Sequence, residues 1–170
     1  MQYFNLNNEP IDLAEKLNEC GVVLDTSKAT NMNSAFYWRL GVTRLPAISF
    51  IGVTNSSGFS YAISANTELI TIDKLIFSDD GTQPFTSTVL YNNPKLENIT
   101  TIEGVIGKEI NVTACIALSH DSLMNIINHL KDYSEDTSGT THKLTLGTTN
   151  LKKLTDEEKA QATQKGWTLA

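Results

Sequence analysis

The feature that most constrains this chain is a recurrence of apolar residues every 27 positions. The columns are Val42, Leu69, Leu96 and Leu123; Leu45, Ile72, Ile99 and Ile126; Ile48, Leu75 and Ile102; Ala35, Ala62, Val89 and Ile116; and Phe36, Ile63, Leu90 and Ala117. A unit of this length with one short strand and a bend cannot bury its own apolar side. The period therefore predicts stacked coils that share one continuous core.

The segments on either side of the columns have a different pattern. Residues 9–20 place apolar side chains at helical spacing after Pro10, which suits a first helical turn. Residues 119–133 predict a second helix, with Ser119 or Asp121 as its N-cap. We therefore expect a helix to close the first coil, and we expect the fourth unit to be helical.

The C-terminal segment predicts a strand, a turn, a helix and a final strand. Thr155 and Glu158 have the spacing of a capping box, and Gly166 is placed to end the helix before the last strand. The predicted fold class is an α/β repeat, a short solenoid of about four units in one domain, 1–170. Its N-terminal cap is 1–21, its repeats are 22–130 and its C-terminal cap is 131–170.

Charge and composition exclude several function classes. The net charge is −6, from 13 basic and 19 acidic residues, and no basic cluster is present, so direct nucleic-acid binding is not expected. No apolar run approaches the roughly 18 residues of a membrane helix, and the first residues lack signal-peptide features. We expect a cytoplasmic location during production. Cys20 and Cys115 are too few for a disulfide scaffold or a zinc site, and both should be free.

No motif in the sequence indicates catalysis, a metal or a cofactor. Ser119, His120 and Asp121 are adjacent and cannot form a relay of nucleophile, base and orienting group. The loop that begins at Asp79 has Leu90 where a calcium loop needs glutamate. The histidines show no ligand spacing with cysteines or carboxylates. We predict a protein that is not an enzyme and needs no cofactor.

Two groups of residues are candidates for partner binding. Tyr37, Trp38 and Arg39 lie at a predicted corner and are of the types most often found as binding hot spots. The alternative is that Trp38 packs under the N-terminal cap. The second group, called the strand row here, lies between the apolar columns: Arg44, Thr71, Asp73, Lys74, Glu97, Asn98 and Thr101. It would line one extended face of stacked coils, which is the usual binding surface of such folds, although an ordinary solvated face remains open.

The segment LDTSKATNMNSAFYWRLGVTRLP resembles the BspA-like leucine-rich repeats. The matching positions are Leu24, Asp25, Thr26, Ser27, Thr30, Asn31, Met32, Phe36 and Tyr37. The tail HKLTLGTTNLKKLTDEEKAQATQKGWTLA is similar to the ending of many such proteins encoded by phages and prophages of Gram-positive and gut bacteria, often in tail or baseplate gene regions. The resemblance implies a leucine-rich-repeat solenoid with a binding role, and it does not identify the ligand.

Two functions are compatible with this pattern. In the first, the protein is a phage or prophage tail-associated module that binds a protein or a host-surface glycan. In the second, it is an intracellular anti-defence inhibitor, similar in action to anti-CRISPR proteins, whose acidic repeat face docks on a basic nucleic-acid-handling enzyme. A glycan hydrolase would need paired carboxylates in a cleft, and Asp79 and Asp80 are adjacent in a turn. The oligomeric state is left open.

Overall fold

The computed structural model describes residues 3–4, 10–19, 25–54, 58–83 and 86–170. In chain order the elements are β1 (Tyr3–Phe4), β2 (Pro10–Ile11), α1 (Leu13–Asn18), β3 (Arg44–Ser49), β4 (Thr71–Ile76), β5 (Asn98–Glu103), β6 (Ile110–Asn111), α2 (His120–Asn128), β7 (His142–Thr145), α3 (Gly147–Leu151), α4 (Asp156–Gln164) and β8 (Trp167–Leu169). β1 and β2 pair antiparallel, whereas β3–β4–β5 and β6–β7–β8 form two three-stranded parallel sheets.

The central sheet, β3–β4–β5, pairs residues that are 27 positions apart. Leu45 lies opposite Ile72 and Ile72 opposite Ile99, and the column that begins at Ile48 repeats this arrangement. All of these side chains are buried. Because neighbouring parallel strands place equivalent residues side by side, the apolar period of the sequence becomes the strand register.

The predicted leucine-rich-repeat solenoid of about four units is wrong. The described chain is a small α/β fold with two separate three-stranded parallel sheets and four helices. Within the described residues, three units contribute strands to the central sheet, and Ile110 of β6 pairs instead with Leu144, 34 positions later. The columns that begin at Ala35 and Phe36 also fail in the fourth unit, where Ile116 is 52% exposed and Ala117 is exposed, while Cys115 is buried. The offset of 34 residues between Ile110 and Leu144 breaks the 27-residue period.

Polar side chains bond to backbone groups at both edges of the central sheet. On the β3 side, Asn18 of α1 accepts hydrogen bonds from the backbone N–H groups of Thr43 and Arg44 at 2.8 and 3.1 Å. At the other end of β3, the Thr26 hydroxyl accepts from the Ser49 N–H at 2.6 Å and donates to the Ser49 carbonyl. These contacts satisfy backbone groups that an edge strand otherwise exposes.

On the β5 side, α2 has the same role. The Ser122 hydroxyl accepts from the Ile99 N–H at 2.9 Å, and the Asn125 amide donates to the Ile99 carbonyl at 3.0 Å. The apolar side of α2 buries Leu123, Ile126 and Ile127 against the core. The fourth unit is therefore helical, as the apolar spacing predicts, and it ends the central sheet.

Most of the predicted helix ends are confirmed. Ser119 is the N-cap of α2, Thr155 and Glu158 form a capping box on α4, and Gly166 follows α4 with φ +81°, a conformation that favours glycine. At the N-terminus the expectation for Pro10 is wrong, because Pro10 belongs to β2. The Asp12 carboxylate caps α1 instead, and it accepts from two backbone N–H groups.

Two further expectations concern the cysteines and the membrane. Cys115 is a buried free thiol, whereas Cys20 lies outside the described residues. Within the described ranges, no helix has the length and apolar character that crossing a bilayer requires.

The buried leucine column gives a direct test of the packing. Leu96→Ala should lower the free energy of unfolding by about 2 to 5 kcal/mol, since Leu96 is fully buried and its truncation leaves a cavity. Leu40→Ala is the matched control, because Leu40 is 72% exposed and should change stability by about 0.5 kcal/mol or less. Urea denaturation of both variants measures the difference, and equal losses would contradict this core.

An ion pair joins α2 to α4 and makes the stability of the C-terminal part depend on pH. Glu158 Oε1 lies 2.8 Å from His120 Nε2, and this contact, followed by that with Asp121, raises the pKa of His120 above 6.5. The Thr155 N–H, followed by His120, lowers the pKa of Glu158 below 4.5. Stabilisation from His120 is lost as pH rises through its raised pKa, and that from Glu158 is lost as pH falls through its lowered pKa. The pair is therefore most stabilising between these two values.

NMR titration of the His120 ring should give a midpoint above pH 6.5, since both neighbouring carboxylates favour the imidazolium. Glu158→Gln should shift this midpoint downward by more than Asp121→Asn does, because Glu158 makes the shorter contact. A midpoint that neither substitution moves would show that the two helices are not joined in this way.

Candidate functional site

The structure places the strand row on the central sheet. Arg44, Thr71, Asp73, Lys74, Asn98 and Thr101 lie in β3, β4 and β5, and all six are half-buried. Glu97 directly precedes β5 and is exposed. The residues proposed for one face from sequence are therefore neighbours, because the strand register brings them together.

Most charges in the strand row are already engaged in ion pairs. Arg44 Nε lies 2.8 Å from Asp73 Oδ1 and 3.1 Å from Asp73 Oδ2, and Lys74 Nζ lies 2.5 Å from Glu103 Oε1. Among the described residues, Glu97 is the only acidic member of the row without an ion-pair partner. A basic protein would have to compete with these internal cations, so the face attracts it less than the formal charge indicates.

The second predicted group lies in a turn that precedes β3. Trp38 is 65% exposed, so the alternative in which it packs under the N-terminal cap is wrong. Tyr37 is also exposed, and its ring lies 5.8 Å from that of Tyr61 at an angle of 69°. Arg39 donates through Nη2 to the Ala35 carbonyl at 3.0 Å, which holds its side chain against the same turn.

Sequence reasoning missed two exposed aromatic residues of this region, Tyr61 and Tyr91. Tyr91 follows Tyr37 by two repeat periods, so its position was a usable signal. Tyr61 belongs to a different column, and only the ring contact with Tyr37 associates them. We call Tyr37, Trp38, Tyr61 and Tyr91 the aromatic turn surface.

Backbone hydrogen bonds stack the three turns that carry these residues. The Phe36 N–H donates to the Ala62 carbonyl at 2.8 Å, and the Trp38 N–H donates to the Ser64 carbonyl at 3.0 Å. One layer further, the Ala65 N–H donates to the Tyr91 carbonyl at 3.1 Å. The exposed rings therefore project from a regular framework.

A column of buried amide side chains supports the turns from inside. Asn66 Oδ1 accepts from the Arg39 N–H at 2.7 Å, and Asn93 Oδ1 accepts from the Asn66 N–H at 2.9 Å. The amide groups donate in return to the carbonyls of Phe36 and Ile63 at 2.8 and 2.6 Å. Each asparagine satisfies backbone groups that would otherwise be buried without partners.

Cys115 ends this column. Its thiol accepts from the Asn93 N–H and donates to the Leu90 carbonyl at 3.2 Å. Burial raises the pKa of the thiol to about 11, so Cys115 stays protonated and serves as a weak donor instead of a nucleophile.

Each of the stacked turns contains a left-handed residue at the same place. Trp38, Ala65 and Asn92, at successive 27-residue steps, have φ values of +49°, +61° and +62°. Asparagine adopts this conformation readily, whereas a bulky side chain does so at a cost of about 1 kcal/mol or more. The backbone at Trp38 is therefore strained, and asparagine at this position would relieve the strain.

The serine and histidine side chains that could carry chemistry have structural partners. Ser119 caps α2 and His120 pairs with Glu158, so these two side chains do not form a relay. His129 is half-buried, and its Nδ1 lies 2.8 Å from the Asn125 carbonyl oxygen. In the described part of the chain, no group of three or more His, Cys, Asp or Glu side chains could hold a metal ion.

A comparison with known protein families, characterised proteins and solved structures finds no match to this chain. The resemblance to BspA-like repeats, and the phage origin that it implies, therefore stay predictions.

The asparagine column can be tested by removing one amide. Asn66→Ala should lower the free energy of unfolding by about 1 to 3 kcal/mol, since it removes the side-chain amide that bonds the Arg39 N–H and the Phe36 carbonyl. Asn33→Ala is the control, because Asn33 is exposed and should change stability by about 0.5 kcal/mol or less. Chemical denaturation monitored by circular dichroism measures both, and a neutral Asn66→Ala would contradict the supporting role.

Proposed function

We propose that this protein is a non-enzymatic binding module that docks a protein partner through the aromatic turn surface. The observation that carries the proposal is Trp38, a large apolar side chain that is mostly exposed and held in a strained backbone conformation. The left-handed conformation also occurs at Ala65 and Asn92 in the neighbouring turns, so what distinguishes Trp38 is that a bulky, exposed side chain occupies it. Backbone outliers of this kind are concentrated at binding and switch sites.

The residue types and their support favour a contact surface. Tyrosine and tryptophan dominate binding hot spots because they present a large rigid area with few rotatable bonds. The hydrogen bonds between turns and the asparagine column hold the backbone beneath the aromatic side chains. Little backbone conformational entropy therefore remains to be lost on binding. Preorganised aromatic side chains give affinity without a deep pocket.

The strand row is the weaker candidate for the same role. Its Arg44–Asp73 and Lys74–Glu103 pairs neutralise one another, and ion pairs this exposed contribute little to recognition. The aromatic turn surface has no charged member, so a partner would bind it mainly through apolar contact and the tyrosine hydroxyls. We infer a protein partner, whether a phage tail component or a host defence enzyme.

Trp38→Asn separates binding from folding. Asparagine suits the left-handed conformation, as Asn92 shows two layers away, so the variant should fold with unchanged or higher stability. The same change removes the largest hot-spot candidate and should weaken partner binding about tenfold or more. Tyr91→Ala should also weaken binding.

The partner is first captured on the tagged protein from host lysate or virions and identified by mass spectrometry. Affinities of the purified partner for wild type and variants are then measured by calorimetry. Ile51→Ala is the matched control, since Ile51 is an exposed apolar residue outside this surface. Retained affinity in Trp38→Asn and Tyr91→Ala, with loss on charge reversal of Asp73 and Glu97, would refute the proposal and indicate the strand row instead.

A further inference from the structure

A polar groove of about 510 Å³ opens between β5 and α2, at the edge of the central sheet. Asn98 and Thr100 line it from the strand, and Asp121, Met124, Asn125 and Asn128 line it from the helix. The groove does not include any member of the aromatic turn surface. An activity located here goes beyond the proposed function and does not depend on it.

The backbone beneath the groove is already satisfied. Ser122 accepts from the Ile99 N–H and donates to the Glu97 carbonyl, each at 2.9 Å, and Asn125 donates to the Ile99 carbonyl at 3.0 Å. A peptide therefore cannot add here as a further strand, because that mode of binding needs free backbone groups. A ligand in the groove meets side chains.

Several of these side chains have hydrogen-bonding capacity to spare. Within the described part of the chain, the carboxamides of Asn98 and Asn128 and the hydroxyl of Thr100 have no hydrogen-bond partner. Asn125 uses its amide hydrogens on the β5 backbone and keeps its Oδ1 free to accept. The groove thus offers both donors and acceptors on neutral groups.

Charge narrows the class of ligand. Among the described residues that line the groove, Asp121 is the only charged one. The lining side chains of the described residues offer a phosphate or another anion no cation, and the neighbouring His120 is engaged by Asp121 and Glu158. One carboxylate is too few for a calcium site, which takes six to eight oxygen ligands. Met124 adds an apolar contact on the helix side. The chemistry therefore suits a neutral ligand that both donates and accepts hydrogen bonds.

We propose that this groove binds a neutral saccharide. Sugar hydroxyls donate and accept, which matches the carboxamides of Asn98 and Asn128, and a pair of neighbouring hydroxyls can donate to the Asp121 carboxylate. The C–H face of the sugar ring packs on Met124. For a ligand of about a dozen heavy atoms on an open groove, the dissociation constant should be on the order of 1 mM.

The test is an NMR titration of the isotope-labelled full chain with glucose, galactose, mannose and N-acetylglucosamine, and with disaccharides of each. At least one sugar should cause saturable shifts of backbone amides confined to the groove, at Asn98, Thr100, Met124 and Asn128. The combined Asn98→Ala and Asn128→Ala variant should weaken binding about tenfold or more. Asn128→Ala alone, at an exposed helix end, keeps the test valid if the double variant does not fold.

Gln164→Ala is the matched control, because Gln164 is an exposed amide side chain at the last residue of α4 and should leave binding unchanged. A short uncharged peptide serves as the competing ligand class. The proposal is overturned if no sugar gives saturable shifts, if the shifts lie outside the groove, or if the peptide binds there more tightly than every sugar.

Discussion

Hydrogen bonding between residues 26 to 28 positions apart is the constraint on which the rest of this structure depends. It operates in the central sheet, where Leu45, Ile72 and Ile99 lie side by side, and again in the turns, where each layer donates to the next. The side chains of Asn66 and Asn93 accept hydrogen bonds from backbone N–H groups of the preceding turn in the same way. Because each strand and turn satisfies polar groups of its neighbour, removing one would leave buried groups of the next without partners.

The part of the fold that depends on burial was readable from sequence. An apolar residue in a repeated column has one favourable place, so the strand positions and the register of β3 to β5 follow from the columns. The fourth unit shows the limit, since Ile116 and Ala117 kept the spacing and are nevertheless exposed. α3 was also missed: its sequence has no amphipathic pattern, and Asn150 is buried because it donates to the distant Val112 and Cys115 carbonyls. Such partners cannot be inferred from local sequence.

In the candidate surfaces too, the sequence predicts some features, and others depend on how strands and turns stack. Trp38 was recognisable as a corner residue, and a left-handed conformation at that point of the turn fits its exposure. The contact between Tyr37 and Tyr61 depends on how two layers stack, which the sequence does not state. The sequence predicts that the charges of the strand row are available to a partner, because residues that are distant along the chain show no sign of pairing with each other. Asp73 meets Arg44 only across neighbouring strands, 29 positions apart.

The covered edges of the central sheet bear on how these molecules behave when crowded. Exposed edge strands are templates for fibril growth and domain swapping, and proteins that accumulate to high concentration must protect them. Here Asn18 and Thr26 occupy the β3 edge, while Ser122 and Asn125 occupy the β5 edge. Residues of α1 and α2, together with Thr26, thus occupy part of each edge of this sheet. These side chains hinder two copies of the chain from joining edge to edge at the residues that they occupy.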